Sequence, residues 1–219
     1  PLADEMVRRA DIQSGQTVLE PEAGKGDLAD AVMAAEPSAK ITTIERLSSA
    51  RDILEAKGYE VAGDDFMEHR GQYDRIVMNP PFEKGADIDH VRHAYDQLKP
   101  SGTLVALMSE GTFSNGNAKA SAFREWLDSV GGVSEKVADG SFKGVKAFRQ
   151  TGVASRIVEI TKTTEGAKFA VGEPAGFSDR YIANQDEIAD GVIALAQQIV
   201  PQVNVDVVGE LFLVTKEGG

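Results

Sequence analysis

From residue 16 to about residue 161, short apolar runs alternate with stretches whose apolar positions recur at helical spacing. "QTVLE" at 16–20, "KITTIE" at 40–45, "YEVAGDDF" at 59–66, "YDRIVMN" at 73–79 and "TLVALMS" at 103–109 read as strands. Between them "DLADAVMAAE" at 27–36 has few breakers and reads as a helix. "LSSARDILEAKG" at 47–58 reads as another, with Ser48 or Ser49 as its cap and Gly58 as its stop. "DHVRHAYDQLKPSG" at 89–102 is a helix ended by Pro100 and Gly102, and "ASAFREWLDSVGG" at 120–132 one ended by paired glycines. "VSEKVA" at 133–138 and "GVASRIVEITK" at 152–162 are two last strands, the second reached without a helix before it. A hairpin edge fits there.

Strand–helix alternation predicts an α/β fold: a Rossmann-like, mostly parallel sheet of seven strands with an antiparallel edge strand and helices on both faces. Past about residue 164 the text changes. A glycine-rich polar stretch precedes one amphipathic pattern, with Ile188, Val192, Leu195 and Ile199 at helical spacing, and two short strand-like runs about Gly209 and Glu210. The expected division is a catalytic domain over 1–164 and a C-terminal extension over 165–219.

Composition narrows the chemistry. Among 219 residues there is no cysteine, which removes disulfides, thiolate nucleophiles and thiolate zinc sites. His90 and His93 stand three apart with no further cysteine or histidine near them, so solvated helix surface is the expectation and no metal is. No run of 18 apolar residues and no secretory leader are read, so neither a membrane nor export is expected, and the expected location is cytoplasmic. The formal net charge of -12 argues against unaided, high-affinity binding to a nucleic-acid backbone and makes any basic rim something to be located.

Candidate chemistry gathers at strand ends. "EPEAGKG" leaves the first strand through Gly24 and Gly26 and enters a helix. It lacks both the phosphate-loop Gly-Lys-Ser/Thr and the third glycine of the dinucleotide fingerprint. Instead it carries Glu20 and Glu22, with Asp27 just beyond; carboxylates repel phosphate and suit an ammonium. Glu45 ends the second strand, where a carboxylate suits ribose hydroxyls, and Asp65 and Phe66 end the third, suited to an exocyclic amine and a purine ring. The fourth strand runs into "NPPF", Asn79 to Phe82, where two prolines fix two φ angles and make a stiff corner.

These motifs resemble the class I S-adenosylmethionine-dependent methyltransferases over roughly residues 1–161. The resemblance implies S-adenosyl-L-methionine as cofactor, held by Glu20, Pro21, Ala23, Gly24 and Gly26 of the first loop. Glu45 and Arg46 would lie at the ribose, Asp65 and Phe66 at the adenine, and Asn79 at the reacting end. "NPPF" is similar to the corner of the enzymes that methylate the N6 amine of adenine, which implies catalytic roles for Asn79, Pro80, Pro81 and Phe82. A minority of "NPPY" relatives methylate a glutamine side chain of a protein instead. "FKGVKAFRQTGVASRIVEI" looks like the matching region of small enzymes of phage or mobile-element type. Glu22 and Lys25 depart from the family, which often has a small residue and a threonine there.

The implied partner is nucleic acid, DNA ahead of RNA, with a further domain or protein to read the target. Lys84, Lys119, Lys143, Lys146 and Arg149 are candidate phosphate contacts, and Thr151 and Arg156 candidate braces of the cleft. An RNA adenine enzyme, a protein glutamine enzyme and a non-catalytic scaffold that kept the fold are the alternatives.

Overall fold

The computed structural model describes residues 2–137 and 154–163. It holds seven strands: β1 (Thr17–Glu20), β2 (Lys40–Ile44), β3 (Glu60–Gly63), β4 (Tyr73–Met78), β5 (Leu98–Ser109), β6 (Val133–Lys136) and β7 (Ser155–Thr161). Six helices accompany them: α1 (Leu2–Ala10), α2 (Asp27–Ala35), α3 (Ser48–Ala56), α4 (Ala86–Asp96), α5 (Glu110–Ser114) and α6 (Ala118–Ser129). The sheet order is β3-β2-β1-β4-β5-β7-β6. Pairs among β1 to β5 are parallel, whereas β7 runs antiparallel to both its neighbours and sits one place in from the edge. The mixed, mostly parallel seven-stranded sheet is thus the one the alternation predicts.

The period-2 side-chain rule divides the core. Leu19, Ile76, Met78, Leu104, Ala106, Met108, Val158 and Ile160 share one cluster with Ile88 and Val91 of α4 and Phe123 and Leu127 of α6. Val18, Val77, Val105, Leu107 and Ile157 share the other with Met6 and Val7 of α1 and Leu28 and Val32 of α2. Central strands buried on both faces explain why their sequences read as nearly continuous apolar runs.

Two local expectations need correction, and one helix was not anticipated. Pro100 and Gly102 do not end a helix; α4 stops at Asp96, and both residues lie within β5. From the Tyr73–Leu98 pair to the Arg75–Thr103 pair, β4 advances two residues (73 to 75) and β5 five (98 to 103), so the extra residues loop out of the ladder. Proline is tolerated in such a bulge because no ladder donor is needed there. Glycine suits position 102, since a Cβ would stand 2.9 Å from the Lys99 carbonyl. Next, neither Ser48 nor Ser49 caps α3; Leu47 occupies the cap position in extended conformation, without a side-chain bond. Finally, Leu2, Ala3, Met6, Val7 and Ala10 make α1 amphipathic, an element not anticipated in the opening segment.

Arg9 fastens α1 to the sheet, reaching Glu5 on its own helix, Glu135 of β6 and Glu159 of β7, each at 2.7 Å. Asp74 fastens the lower edge. Its Oδ2 accepts from the Thr17 N–H and hydroxyl and from the Lys99 ammonium, joining the starts of β1, β4 and β5. The extension expected over 165–219 lies outside the described residues. No helix among the described residues is long and apolar enough to cross a membrane.

Asp74 yields a pH prediction. Burial alone would raise its carboxyl, but Lys99 and Thr17 outweigh that and hold it at about 2, against 3.8 ordinarily. A depressed folded-state value stabilises above the unfolded one and loses that contribution as pH falls through the folded one. Asp74→Asn should therefore cost about 1–2 kcal/mol at pH 7, allowing for screening at the more exposed Lys99. The gap from wild type should close between about pH 4 and pH 2 in chemical denaturation measured across pH.

Candidate active site

The strands β1, β2, β3 and β4 all end on one edge, which brings four loops together. After β1 the chain turns through Gly24 (φ 53) and Gly26 (φ 86), both left-handed. The turn is closed by the Ala23 N–H donating to the Ile44 carbonyl at 3.0 Å and the Gly26 N–H to the Ala23 carbonyl at 2.7 Å. The glycines differ in surroundings. A Cβ on Gly26 would meet Leu54 Cδ2 at 2.9 Å, whereas one on Gly24 would meet nothing within 4 Å. Gly26 is a packing requirement between α2 and α3. Gly24 faces open space, as a residue approached by a ligand must.

Three carboxylates surround this loop. Glu20 is 2% exposed and its Oε2 has no hydrogen-bond partner. Burial pushes its carboxyl well above the usual range, against a backbone bond from Ala29. Glu45 is also buried; its Oε2 accepts from the Gly24 N–H at 2.6 Å and its Oε1 from the Leu47 N–H at 2.7 Å. It therefore ties the β1–α2 loop to the β2–α3 loop, and since each of its oxygens accepts only one of these bonds, it keeps acceptor capacity for further donors. Glu22 Oε1 lies 2.5 Å from His90 Nδ1, and Glu22 Oε2 is buried without a partner. Burial raises the Glu22 carboxyl, His90 opposes the rise and Glu45 adds to it.

Of the other residues expected around the donor, Pro21 and Ala23 are buried in the loop and Arg46 is exposed beside Glu45. Asp65 is exposed and its Oδ1 accepts from the Met67 N–H at 2.8 Å, a local turn. Phe66 is 3% exposed, its ring set against His90 and His93 at centroid distances of 5.7 and 4.8 Å. Its ring is thus a floor of the core and not an open stacking face. His90 and His93 were expected on wet helix surface; instead both face Phe66 from α4.

Asn79 follows β4, partly exposed, and among the described residues no hydrogen bond holds its side chain. Pro80 is buried and Pro81 exposed. Phe82 is half-buried and packs against the core cluster of α1 and α2. Past the corner, Asp87 fixes the direction of α4. It is fully buried, and its Oδ2 accepts from the Thr112 hydroxyl at 2.8 Å and the Ser109 N–H at 3.2 Å. Its other oxygen has no partner, and burial raises its carboxyl. Sequence reasoning missed this anchor; its signal was an acid in the first turn of a helix directly after a rigid corner.

Among the candidate basic contacts, Lys119 is paired with Asp89 at 2.6 Å and Lys84 is exposed at φ 54. Arg156 meets Glu110 at 3.3 Å and stands 4.9 Å over the Phe113 ring. Lys143, Lys146, Arg149 and Thr151 lie outside the described residues.

This sheet order, with its glycine loop after β1 and its acid after β2, defines the fold of a class I S-adenosylmethionine-dependent methyltransferase. Residues 3–123, just over half the chain, match the model of the methyltransferase small domain, and the chain belongs to that family. No curated protein matches it. Among solved structures it is similar to TrmN from Thermus thermophilus, with a TM-score of 0.54 and 22% identity over 74% of this chain and 48% of that one. A Vibrio vulnificus protein described as a modification subunit of a type I restriction enzyme superposes with a TM-score of 0.61 at 17% identity, over 74% and 43% of the two chains. A Listeria monocytogenes protein described as a class I S-adenosylmethionine-dependent methyltransferase gives 0.57 at 13% identity, over 85% and 67%. The chain thus spans less than half of the first two, and at these identities the likeness is one of fold.

S-adenosyl-L-methionine is the cofactor of this class, and the residues fit it. The unpartnered oxygens of Glu20 and Glu22 suit its cationic end, the open face of Gly24 admits a close approach, and Glu45 has capacity for its ribose.

The two glycines predict opposite failures. Gly26→Ala should destabilise the fold by about 2–4 kcal/mol, from the left-handed backbone and the Leu54 clash together. Gly24→Ala should cost only about 1 kcal/mol of stability yet weaken S-adenosylmethionine binding at least tenfold. Thermal melts with calorimetric titration of both variants would separate the two effects.

Proposed function

We propose that the chain transfers a methyl group from S-adenosylmethionine to the N6 amine of adenine in DNA. The observation that carries this reading is the corner after β4: a carboxamide with no partner among the described residues, followed by two prolines, beside a loop suited to the donor. An exocyclic amine conjugated with its ring is a poor nucleophile. Two acceptors in fixed positions, the Asn79 side-chain oxygen and the Pro80 carbonyl, would hold its two hydrogens and turn the lone pair toward the methyl carbon. The gain is alignment and electrostatic preorganisation. When bound, the cofactor supplies a methyl group made electrophilic by its sulfonium. As N6 takes the methyl carbon, the carbon–sulfur bond breaks, S-adenosylhomocysteine leaves and one N6 proton passes to solvent.

Asp87 supports the corner by holding the start of α4 to the end of β5 and to α5, so that the loop between β4 and α4 ends at a fixed point. Phe82, half-buried, would offer its exposed edge to an adenine taken out of its helix. A division into a catalytic domain over 1–164 and an extension over 165–219 accords with this reading. The modification-subunit neighbour is a protein of a restriction system, which is in keeping with DNA as substrate. An acidic chain of -12 implies that target reading is lent by another domain or protein.

The test is transfer of labelled methyl to unmethylated duplex DNA, single-stranded DNA, structured RNA and protein, with the modified residue identified by mass spectrometry. N6-methyladenine in DNA is the expected product. Asn79→Ala should lower transfer by about 10²–10³-fold while leaving S-adenosylhomocysteine affinity within about twofold. Label on RNA or on glutamine would overturn the substrate; transfer undiminished in the variant would overturn the mechanism.

A further inference from the structure

One oxygen of Glu22 suits the cationic end of the donor, and the other is held by His90. Glu22 sits in the loop after β1 and His90 on α4, and the two are 68 residues apart in sequence. Both side chains are only 18% exposed. A histidine donating Nδ1–H to a carboxylate leaves that carboxylate oriented, with its second oxygen still open as an acceptor. Here the second oxygen, Glu22 Oε2, is buried and has no partner. The imidazole is itself backed by the Phe66 ring at 5.7 Å, so it cannot swing freely away. At the end of β1, Glu20 Oε2 is a second buried and unpartnered oxygen. Buried carboxylate oxygens left unpaired are costly, and a cationic donor group would satisfy them. Neutral loop residues at position 22 would leave His90 without this partner.

We propose that His90 is a positioning residue for the methyl donor: it grips Glu22 so that the free carboxylate oxygen receives the ammonium of S-adenosylmethionine. The inference rests on the methyl-donor reading of this loop. It adds a specific demand: the clasp acts on the ammonium alone and not on the adenosine portion. It also joins the donor loop to α4, the helix that follows the catalytic corner, so that donor and corner share one support.

Two ligands separate this from a structural role. S-adenosylhomocysteine carries the ammonium; 5′-methylthioadenosine lacks the amino-acid end but keeps the adenosine. Calorimetric titration should show Glu22→Gln and His90→Ala each weakening S-adenosylhomocysteine about tenfold or more, the scale of a charge-assisted hydrogen bond. Affinity for 5′-methylthioadenosine should change less than twofold in both. His90→Asn, whose amide can stand near the Nδ1–H, should recover most of the loss. If both ligands weaken together, or neither does, the clasp has no such role and the proposal falls. Should the variants unfold, the wild-type chain still decides the matter. The His90 imidazole nitrogen resonances should shift on adding S-adenosylhomocysteine and stay put with 5′-methylthioadenosine; equal shifts would overturn the proposal. Wild type that binds neither ligand would overturn the donor reading itself, and this inference with it.

Discussion

Parallel alignment of β1, β2, β3 and β4 is the constraint on which everything else rests. Strands that run the same way end on the same edge, so the loops that follow them meet without any long connection. Residues 20, 45, 65 and 79 are far apart in the chain and stand at the ends of neighbouring strands. Apolar packing on both faces fixes the register, since a slip by one residue would send every side chain of a strand to the opposite face, away from the helix residues it packs against. The site is therefore held by the core and not by the loops themselves.

Within that frame the loops are tied by charge. Glu45 joins two of them through backbone N–H groups, Glu22 joins the first to α4 through His90, and Asp87 joins the corner's helix to β5. Each is a buried or half-buried carboxylate held by donors, and Glu20, Glu22 and Asp87 each keep a buried oxygen with no partner. A site built this way stores unsatisfied acceptor capacity beside an open glycine. That arrangement suits a cationic ligand and disfavours a phosphate.

Much of this was legible in the sequence, for physical reasons that can be named. The central strands showed because both their faces are buried, and the glycine loop and the proline corner showed because those residue types restrict or free the backbone strongly. The same strength misled at Pro100 and Gly102, where a bulge inside β5 uses both residues without ending a helix. Phe66 was read as an open ring and is a core residue, since burial depends on α4, which sequence periodicity does not place. His90 was invisible as a partner of Glu22 because the two meet only through the fold. Asp87 was missed likewise; its place in the first turn of α4 was a local hint, but its partners at residues 109 and 112 meet it only through the fold.

One sheet edge is proposed to hold the donor at Gly24 and Glu45 with the Asn79 carboxamide free beside it. A crystal structure of the chain with bound S-adenosylhomocysteine tests this most directly. The expected result places the ribose hydroxyls on the Glu45 carboxylate and leaves the Asn79 side-chain oxygen facing an open space next to the sulfur. A ligand seated elsewhere, or an Asn79 side chain turned into the core, would contradict it.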